Sequence, residues 1–373
     1  MGLQAAFSII LGGSFITLGL LFTFIIFVIG DIVLGDDKSI PDYKHERILT
    51  WQLWLALPLL CFIVFATMWQ FASYDLLNFG QSIDQLFNSD VLTNRGNATN
   101  LEFVACIFLT GFYIGMTGTV TAHELTHRTN DKISLLIGRW LLAFSFDTSF
   151  SVEHVYGHHK YVSTINDPAT APRGRNVYAH ILISTYLGNI SAWKIEQKRL
   201  LKKNLSVYSY HNRVIRGYMM SLVIISIVYF VAGLSALILF IAAGLWGKSL
   251  LEIVNYMEHY GMVRDPKTPV QPRHSWNTNK KISSWAMFNL TRHSHHHAKA
   301  SVPFHKLEPM EKSPEMLSGY LGTVVIALIP ALWNKLMTPR VLDWDANFSS
   351  AKEKALIKEA NINSGLKAFL AET

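Results

Sequence analysis

The fold is decided by residues 101–128, which read LEFVACIFLTGFYIGMTGTVTAHELTHR. Residues 101–122 are mostly apolar, and a membrane-spanning helix needs about 20 such residues. His123 and His127 follow directly, four positions apart, which places both on one face of a helix. The stretch therefore predicts a helix that crosses a membrane and presents two imidazoles at its end.

The rest of the chain has the composition of a membrane protein. Half of its 373 residues are hydrophobic and 16% are charged, whereas soluble domains average about 25% charged. Met1–Gly35 lacks the features of a cleaved signal peptide and is expected to remain as a span. We predict an all-α integral membrane protein with five or six transmembrane helices and a cytoplasmic, helical, histidine-rich metal-binding cap. The predicted spans of this single domain, residues 1–373, are 5–34, 51–73, 101–122, 217–232 and 234–256.

Other apolar segments are too short to be predicted as spans. Residues 133–150 and 320–333 are expected to form interfacial or buried helices. Gly233 is the expected turn of the last hairpin, with Gly244 and Gly247 as alternative turn points. The tail, residues 347–373, is rich in Ala, Lys and Glu and is predicted to be a solvated helix.

Positively charged residues predict the orientation. The loop at 36–50 contains Lys38, Lys44 and Arg47, the loop at 74–100 contains only Arg95, and residues 123–216 are rich in Lys and Arg. Because positive charge marks the cytoplasmic side, the N-terminus is expected outside and every histidine cluster inside. A bacterial inner membrane is the expected location.

Nine histidines form four clusters at the ends of apolar segments, with the sequences HELTH, EHVYGHH, NYMEHYG and RHSHHH. Imidazole suits borderline metals such as iron, zinc and copper. A zinc ion takes only about three or four protein ligands, so the set is too large for one ion and sufficient for two. The candidate ligands are His123, His127, His154, His158, His159, His259, His293, His296 and His297.

Spacing within the clusters indicates how they would be shared. His154, His158 and His159 lie at i, i+4 and i+5, which gives two adjacent helix faces that could serve two metals. The histidines of RHSHHH lie at i, i+3 and i+4, which predicts one face.

These boxes resemble those of a membrane di-iron family that includes alkane monooxygenases, xylene and cymene monooxygenases and fatty acid desaturases. EHVYGHH followed by NDPAT, and then NYMEHYG, HSWN and RHSHHH, are most similar to the alkane 1-monooxygenase branch. The resemblance spans roughly residues 25–345 and includes GDD at 35–37 and DWD at 343–345. The branch commonly has two apolar spans before GDD, whereas this chain has room for one.

The resemblance implies two iron ions held by the nine histidines, with O2 as co-substrate. It implies hydroxylation of the terminal methyl group of a medium- or long-chain alkane that enters from the bilayer. His295 stands where this branch usually has Asp, and it is not expected to be a ligand.

Four carboxylates near the boxes are expected to accept the outer N–H of a ligand imidazole. Helix capping or pairing with Arg and Lys is an equally open interpretation for the glutamates. These residues are Glu124, Glu153, Glu258 and Asp167.

Electrons are expected to come from another protein. The two cysteines, Cys61 and Cys106, are outside any CxxC pair, and iron–sulfur centres need about four. The resemblance implies rubredoxin or ferredoxin with an NAD(P)H-dependent reductase. The basic face suits an acidic carrier or anionic membrane lipid; nucleic acid is not an expected partner.

Several alternatives remain open from the sequence. Methyl hydroxylation of an alkylbenzene and lipid desaturation or hydroxylation use the same kind of site. HELTH is also the zincin pattern, in which Glu124 would be the general base of an intramembrane zinc protease. A non-catalytic metal-binding or transport protein is a further alternative. The histidines outside the boxes are expected to be structural, with His274 in HSWN the most interesting: His45, His180, His211, His274 and His305.

Overall fold

The computed structural model describes residues 1–372, and almost all regular structure in this range is helical. Its extended pairings are isolated bridges, Asp36 with Lys280 and Asn277 with Glu315. The predicted all-α fold is therefore confirmed.

The chain packs as two units. Unit 1 comprises Met1–Ile26, Tyr43–Thr148 and Arg213–Ser249, and unit 2 comprises Phe27–Asp42, Ser149–Asn212 and the chain from Leu250 onward. Two long helices, Ser14–Leu34 and Arg213–His259, contribute to both. The other helices and helical turns of unit 1 are Gly2–Leu11, Glu46–Trp54, Ala56–Phe71, Leu76–Asn78, Phe79–Phe87, Val91–Gly96, Asn100–Tyr113, Ile114–Val120, Thr121–His127 and Lys132–Ala143. Those of unit 2 are Phe150–Glu153, His154–His158, His159–Tyr161, Val177–Leu201, Pro272–His274, Lys281–Ala286, His293–Ala298, Phe304–Lys306, Tyr320–Ala327, Pro330–Asn347, Ala351–Asn363 and Lys367–Leu370.

Four helices of the described chain are long and apolar enough to cross a membrane. The pair Tyr320–Ala327 and Pro330–Asn347, bent by 117°, makes a fifth if it is counted as one span. The four are Ser14–Leu34, Glu46–Phe71, Asn100–His127 and Arg213–His259. The exact number of crossings stays a prediction.

Arg213–His259 folds back at Gly233, where the backbone leaves the helical region (φ 83°, ψ −173°). Ser221 before the break donates to the Ala143 carbonyl at 3.0 Å. Phe240 after the break packs on Phe146, with ring centroids 5.6 Å apart. In a straight helix, residues 221 and 240 would be about 28 Å apart, so both contacts require the hairpin that the sequence predicts.

The first predicted span differs from the structure. Residues 5–34 are divided at Gly12 and Gly13, both with positive φ (70° and 52°), a conformation that glycine adopts without strain. Gln4 donates to the Gly19 carbonyl at 3.4 Å, so the helix Gly2–Leu11 folds back on the start of the next one. Only Ser14–Leu34 is long enough to span.

In unit 2, the segment that contains GDD holds the chain leading into RHSHHH. Asp31 accepts hydrogen bonds from the backbone N–H of Ser283 at 3.0 Å and from its Oγ at 2.5 Å. Trp285 donates to the Asp37 carboxylate at 2.6 Å, and Arg292 donates to the Asp37 carbonyl at 3.0 Å. These contacts position the helix His293–Ala298.

The tail was expected to be solvated, but its helix Ala351–Asn363 has a buried face formed by Glu353, Ile357 and Asn361. Nearby, the Arg173 guanidinium binds both carboxylate oxygens of Asp345, in DWD, at 2.6 and 2.7 Å. The tail is therefore part of the packed structure of unit 2.

Candidate metal centre

The first histidine pair lies in unit 1. His123 and His127 follow a π-helical segment, Ile114–Val120, that ends the long apolar helix. Their ring centroids are 5.0 Å apart and their ligand nitrogens lie within 4.8 Å of each other. Glu124 between them pairs with Arg128 at 2.9 Å. The pair is thus arranged to share one ion, as its spacing predicts.

Unit 2 gathers three histidines into what we call cluster A: His154, His159 and His296. The Nε2 atoms of His159 and His154 are 3.1 Å apart, and those of His296 and His159 are 3.0 Å apart. The second and fourth boxes therefore meet, although they are far apart in the chain.

Four further histidines of unit 2 form cluster B: His158, His259, His293 and His297. All four are buried and their ligand nitrogens lie within 4.8 Å of one another. The Nε2 atom of His297 is 2.9 Å from that of His293 and 3.2 Å from that of His158. The Nε2 atoms of His259 and His293 are 3.1 Å apart. The His159 and His297 rings are stacked at 4.5 Å, so the clusters are adjacent.

A π-helical turn distributes the second box between the clusters. His154–His158 is a π-helix, in which residues five apart bond and share a face. This geometry brings His154 and His159 together in cluster A and leaves His158 for cluster B. The fourth box is also divided, because His296 joins cluster A while His293 and His297 join cluster B. The three histidines lie at i, i+3 and i+4 of one α-helix, the spacing that predicts a shared face, and that face supplies ligands to both clusters.

The outer nitrogens of two cluster B histidines are held by oxygen acceptors. His158 Nδ1 lies 2.9 Å from the Asp167 carboxylate, and His259 Nδ1 lies 3.1 Å from the His274 carbonyl. Such bonds place the hydrogen on Nδ1 and leave Nε2 as the metal-binding atom.

The other carboxylates differ from Asp167. Glu153 is buried and accepts from Ser191 at 3.3 Å. Glu258 Oε2 lies 3.2 Å from Nε2 of His293, on the inner side of that ring, and Tyr320 donates to its other oxygen at 2.6 Å. Glu258 therefore faces the donor nitrogens instead of bonding to the outer side of a ligand ring.

Electrostatics at the site favour a neutral His297 and a charged Asp167. Burial, followed by the neighbouring histidines His293 and His159, holds the pKa of His297 well below its ordinary value. Burial acts to raise the pKa of Asp167, but the charge and hydrogen bond of His158 lower it overall. Burial raises the pKa of Glu153 to about 8, so this carboxyl holds a proton near neutrality.

The donor set fits a metal. Imidazole nitrogens bind at about 2.0–2.1 Å, which places ligands of one ion roughly 3 Å apart, and the Nε2 separations above are 2.9–3.2 Å. All donors are imidazoles, which suit iron, zinc and copper.

The remaining predicted positions lie elsewhere. Nδ1 of His295 accepts the backbone N–H of Glu308 at 2.8 Å, and His295 is outside both clusters. Sequence reasoning missed Glu353, which accepts a hydrogen bond from His274 at 2.8 Å. The pattern SSAKE at 349–353 is a capping-box signal. It predicts where a helix begins, but it does not predict a contact with a residue far away in the chain.

A family model described as fatty acid desaturase matches residues 99–322. This range is more than half of the chain and contains every histidine of clusters A and B as well as His123 and His127. The chain belongs to the fatty acid desaturase family.

Several relatives of this desaturase-family chain are alkane monooxygenases. Alkane 1-monooxygenase 1 of Pseudomonas aeruginosa is 38% identical over 236 residues, which are 62% of each chain. Alkane 1-monooxygenase 2 of Alcanivorax borkumensis is 37% identical over 238 residues, 61% of this chain and 62% of the relative. The chain thus spans about three fifths of the length of these relatives. The resemblance predicted from the boxes is confirmed.

A third relative acts on another substrate class. The xylene/toluene monooxygenase hydroxylase component of Pseudomonas putida is 29% identical over 266 residues, 71% of this chain and 72% of the relative. With its apolar helices and these relatives, the desaturase-family chain is an integral membrane protein.

Proposed function

We propose that this protein is a di-iron monooxygenase that hydroxylates the terminal methyl group of a medium- or long-chain alkane. The observation that carries the proposal is the convergence of seven imidazoles into two adjacent clusters, in a chain similar to alkane 1-monooxygenases. The reaction consumes the alkane, O2, two electrons and two protons, and it yields a 1-alkanol and water.

The nine box histidines would hold the metals. Cluster A provides three of them and cluster B provides four. The other two are His123 and His127. When bound, two ferrous ions would supply the reduction of O2 and the oxidation of the substrate C–H bond. The protein's part is to orient the imidazoles, exclude water and supply protons.

Individual residues around cluster B have separate tasks in this proposal. Asp167 and the His274 carbonyl hold His158 and His259 with Nε2 facing inward. Glu258 and the Tyr320 hydroxyl, 2.6 Å apart, form a buried pair that would move a proton at the inner side of the cluster.

The substrate would enter from the bilayer, because an alkane dissolves among lipid chains, and His127 and His259 each lie at the end of a helix long enough to span it. The resemblance to the xylene/toluene enzyme supports a second candidate, hydroxylation of a methyl group on an alkylbenzene. Both substrates offer an apolar molecule with a terminal methyl group.

Product analysis tests the proposal. Purified protein with iron, a reductant system and O2 would be supplied with octane, hexadecane, p-xylene and a fatty acyl lipid. We expect 1-alkanols as the main products. A methylbenzyl alcohol would favour the second candidate, and a desaturated lipid or a zinc-dependent protease activity would contradict both.

The electron donor would be a small acidic carrier, rubredoxin or ferredoxin, served by an NAD(P)H-dependent reductase. A groove of about 1180 Å³ in unit 2 supports this partner. Its walls include Asp167, which is hydrogen-bonded to the cluster B ligand His158. They also include the exposed residues Tyr156 and Ile165. The basic side chains that line it are Lys160, Arg173, Arg175, Lys194, Lys198 and Arg264.

Charge reversal tests the docking of the carrier. Complementary charge accelerates association, so Lys194→Glu with Lys198→Glu should raise the KM for rubredoxin by about tenfold at low salt. Lys202→Glu with Lys203→Glu makes the same charge change at exposed positions outside the groove and should have a smaller effect. Equal effects of the two double variants, or equal loss with a chemical reductant, would exclude docking at this groove.

A further inference from the structure

His259 is a cluster B histidine whose orientation is set by a backbone carbonyl. The residue is 0% exposed, and its Nδ1 is 3.1 Å from the carbonyl oxygen of His274. A carbonyl can only accept, so Nδ1 carries the hydrogen and Nε2 has a free lone pair. That Nε2 faces His293 Nε2 at 3.1 Å.

The turn that supplies this carbonyl is held by the ring of His274 itself. The backbone N–H of Gln271 donates to Nδ1 of His274 at 3.0 Å, so Nδ1 is the acceptor and Nε2 carries the hydrogen. That Nε2–H donates to Glu353 Oε1 at 2.8 Å. His274 is 0% exposed, so no water competes for these bonds.

Glu353 comes from the tail helix and contacts His274, Ser350 and Arg273; the Arg273 guanidinium lies 3.3 Å from each carboxylate oxygen. Its Oε1 accepts from His274, while its Oε2 accepts the backbone N–H of Ser350 at 2.6 Å and caps the helix Ala351–Asn363. The residue is 1% exposed. Capping alone would not require a buried carboxylate to meet a histidine 79 positions away.

We infer that Glu353 is a positioning residue for cluster B, and that it acts through the His274 ring to hold the carbonyl that orients His259. The contacts form one continuous path from the tail helix to a ligand nitrogen. The inference rests on the proposed function in one respect, namely that cluster B binds iron. It gives the tail a role in metal binding that the histidine boxes do not include.

The test measures iron release from the full-length protein in detergent. The wild type is loaded with ferrous iron, and release to a ferrous chelator is followed as equivalents against time. Partners of ligand residues change metal affinity by about 10–100-fold. We therefore expect Glu353→Ala to accelerate the release of one equivalent about tenfold and to leave the other unchanged. Glu353→Gln keeps an oxygen acceptor and should release iron nearly as slowly as the wild type.

Two controls separate positioning from helix stability. Ser350→Ala weakens the same helix cap without touching His274, and Lys354→Ala changes an exposed neighbour. Neither should accelerate iron release. If Glu353→Ala fails to fold, Glu353→Asp replaces it, because its shorter side chain cannot reach His274. Fast iron release from Glu353→Asp with slow release from Glu353→Gln then supports the inference.

Three results would overturn the inference. They are unchanged release in Glu353→Ala, equal acceleration of both equivalents, and equal acceleration in Ser350→Ala. If the wild type binds two equivalents of iron and the variants give one of these results, only the role of Glu353 is refuted. A wild type that binds no iron refutes the proposed function as well.

Discussion

At the scale of single residues, each imidazole has two nitrogens, and either could bind a metal. The acceptor that takes a hydrogen bond from the outer nitrogen leaves the inner nitrogen available to the metal. Asp167 performs this task for His158, and the carbonyl of His274 performs it for His259. Sequence spacing suggested Asp167 because it follows the second box closely. It could not identify a backbone carbonyl, which every residue possesses.

Glu353 is also expected to affect stability at low pH. Burial acts to raise the pKa of Glu353, but hydrogen bonds from His274 and Ser350 lower it to about 2, against an ordinary value of 4.5. A carboxyl with a lowered folded-state pKa stabilises the fold at higher pH, and this contribution is lost as the pH falls from about 4.5 towards 2.

The measurement is the thermal unfolding midpoint in detergent, followed by tryptophan fluorescence between about pH 6 and 3. The wild type should lose more of its midpoint over this range than Glu353→Gln, which cannot titrate. Parallel curves for the two proteins would show that Glu353 does not contribute.

At the scale of secondary structure, the second and fourth histidine boxes, both in unit 2, are related by one inserted residue. The π-helix His154–His158 brings together residues five apart, as an α-helix does for residues four apart. With that insertion removed, the second box would have the spacing of the fourth, His293 to His297.

Deleting Tyr156, an exposed residue of the π-helix, should therefore convert it to an α-turn and preserve the binding of two irons. Deleting Ser294 from the α-helix His293–Ala298 should reduce the iron content, because it rotates His293 by about 100° relative to His297. Iron analysis of both proteins gives the answer. If the Tyr156 deletion loses iron and the Ser294 deletion does not, the π-helix does not simply contain one removable inserted residue.

The hairpin at Gly233 makes a prediction about backbone strain. Its conformation, φ 83° with ψ −173°, is one that essentially only glycine adopts, and another residue there costs about 1–3 kcal/mol. Gly233→Ala should lower the unfolding midpoint. Gly188→Ala is the matched control, because Gly188 lies in the helix Val177–Leu201 without positive φ or nearby atoms and should stabilise by up to about 1 kcal/mol. Similar midpoints for both variants would argue against strain at Gly233.

At the scale of the whole molecule, the distribution of Lys and Arg predicts the side of the membrane on which each loop lies. Asn97, in the loop with few positive charges, should be outside, and Lys202 should be cytoplasmic. In a background with Cys61→Ala and Cys106→Ala, cysteine is introduced at one position at a time. An impermeant maleimide should label Asn97→Cys in intact cells and Lys202→Cys only after permeabilisation. The opposite pattern would invert the proposed topology.

Much of the architecture was predictable from local pattern. Apolar segments of about 20 residues have few alternatives to helix in a membrane, because every backbone polar group must be bonded within the segment. The long apolar stretches therefore predicted helices, and the glycine at 233 predicted the hairpin. The division of the first span was missed, since Gly12 and Gly13 interrupt a segment whose hydrophobicity continues through them.

By itself, the sequence determined that this is a helical membrane protein of the histidine-box type, because hydrophobic length and imidazole spacing are local properties. Only the tertiary structure decided which histidine belongs to which cluster in unit 2. The π-turn at His154–His158 divides the second box between the clusters, and the packing of the fourth box against the second joins residues more than a hundred positions apart. The same holds for the path from Glu353 to His259, which no spacing along the chain encodes.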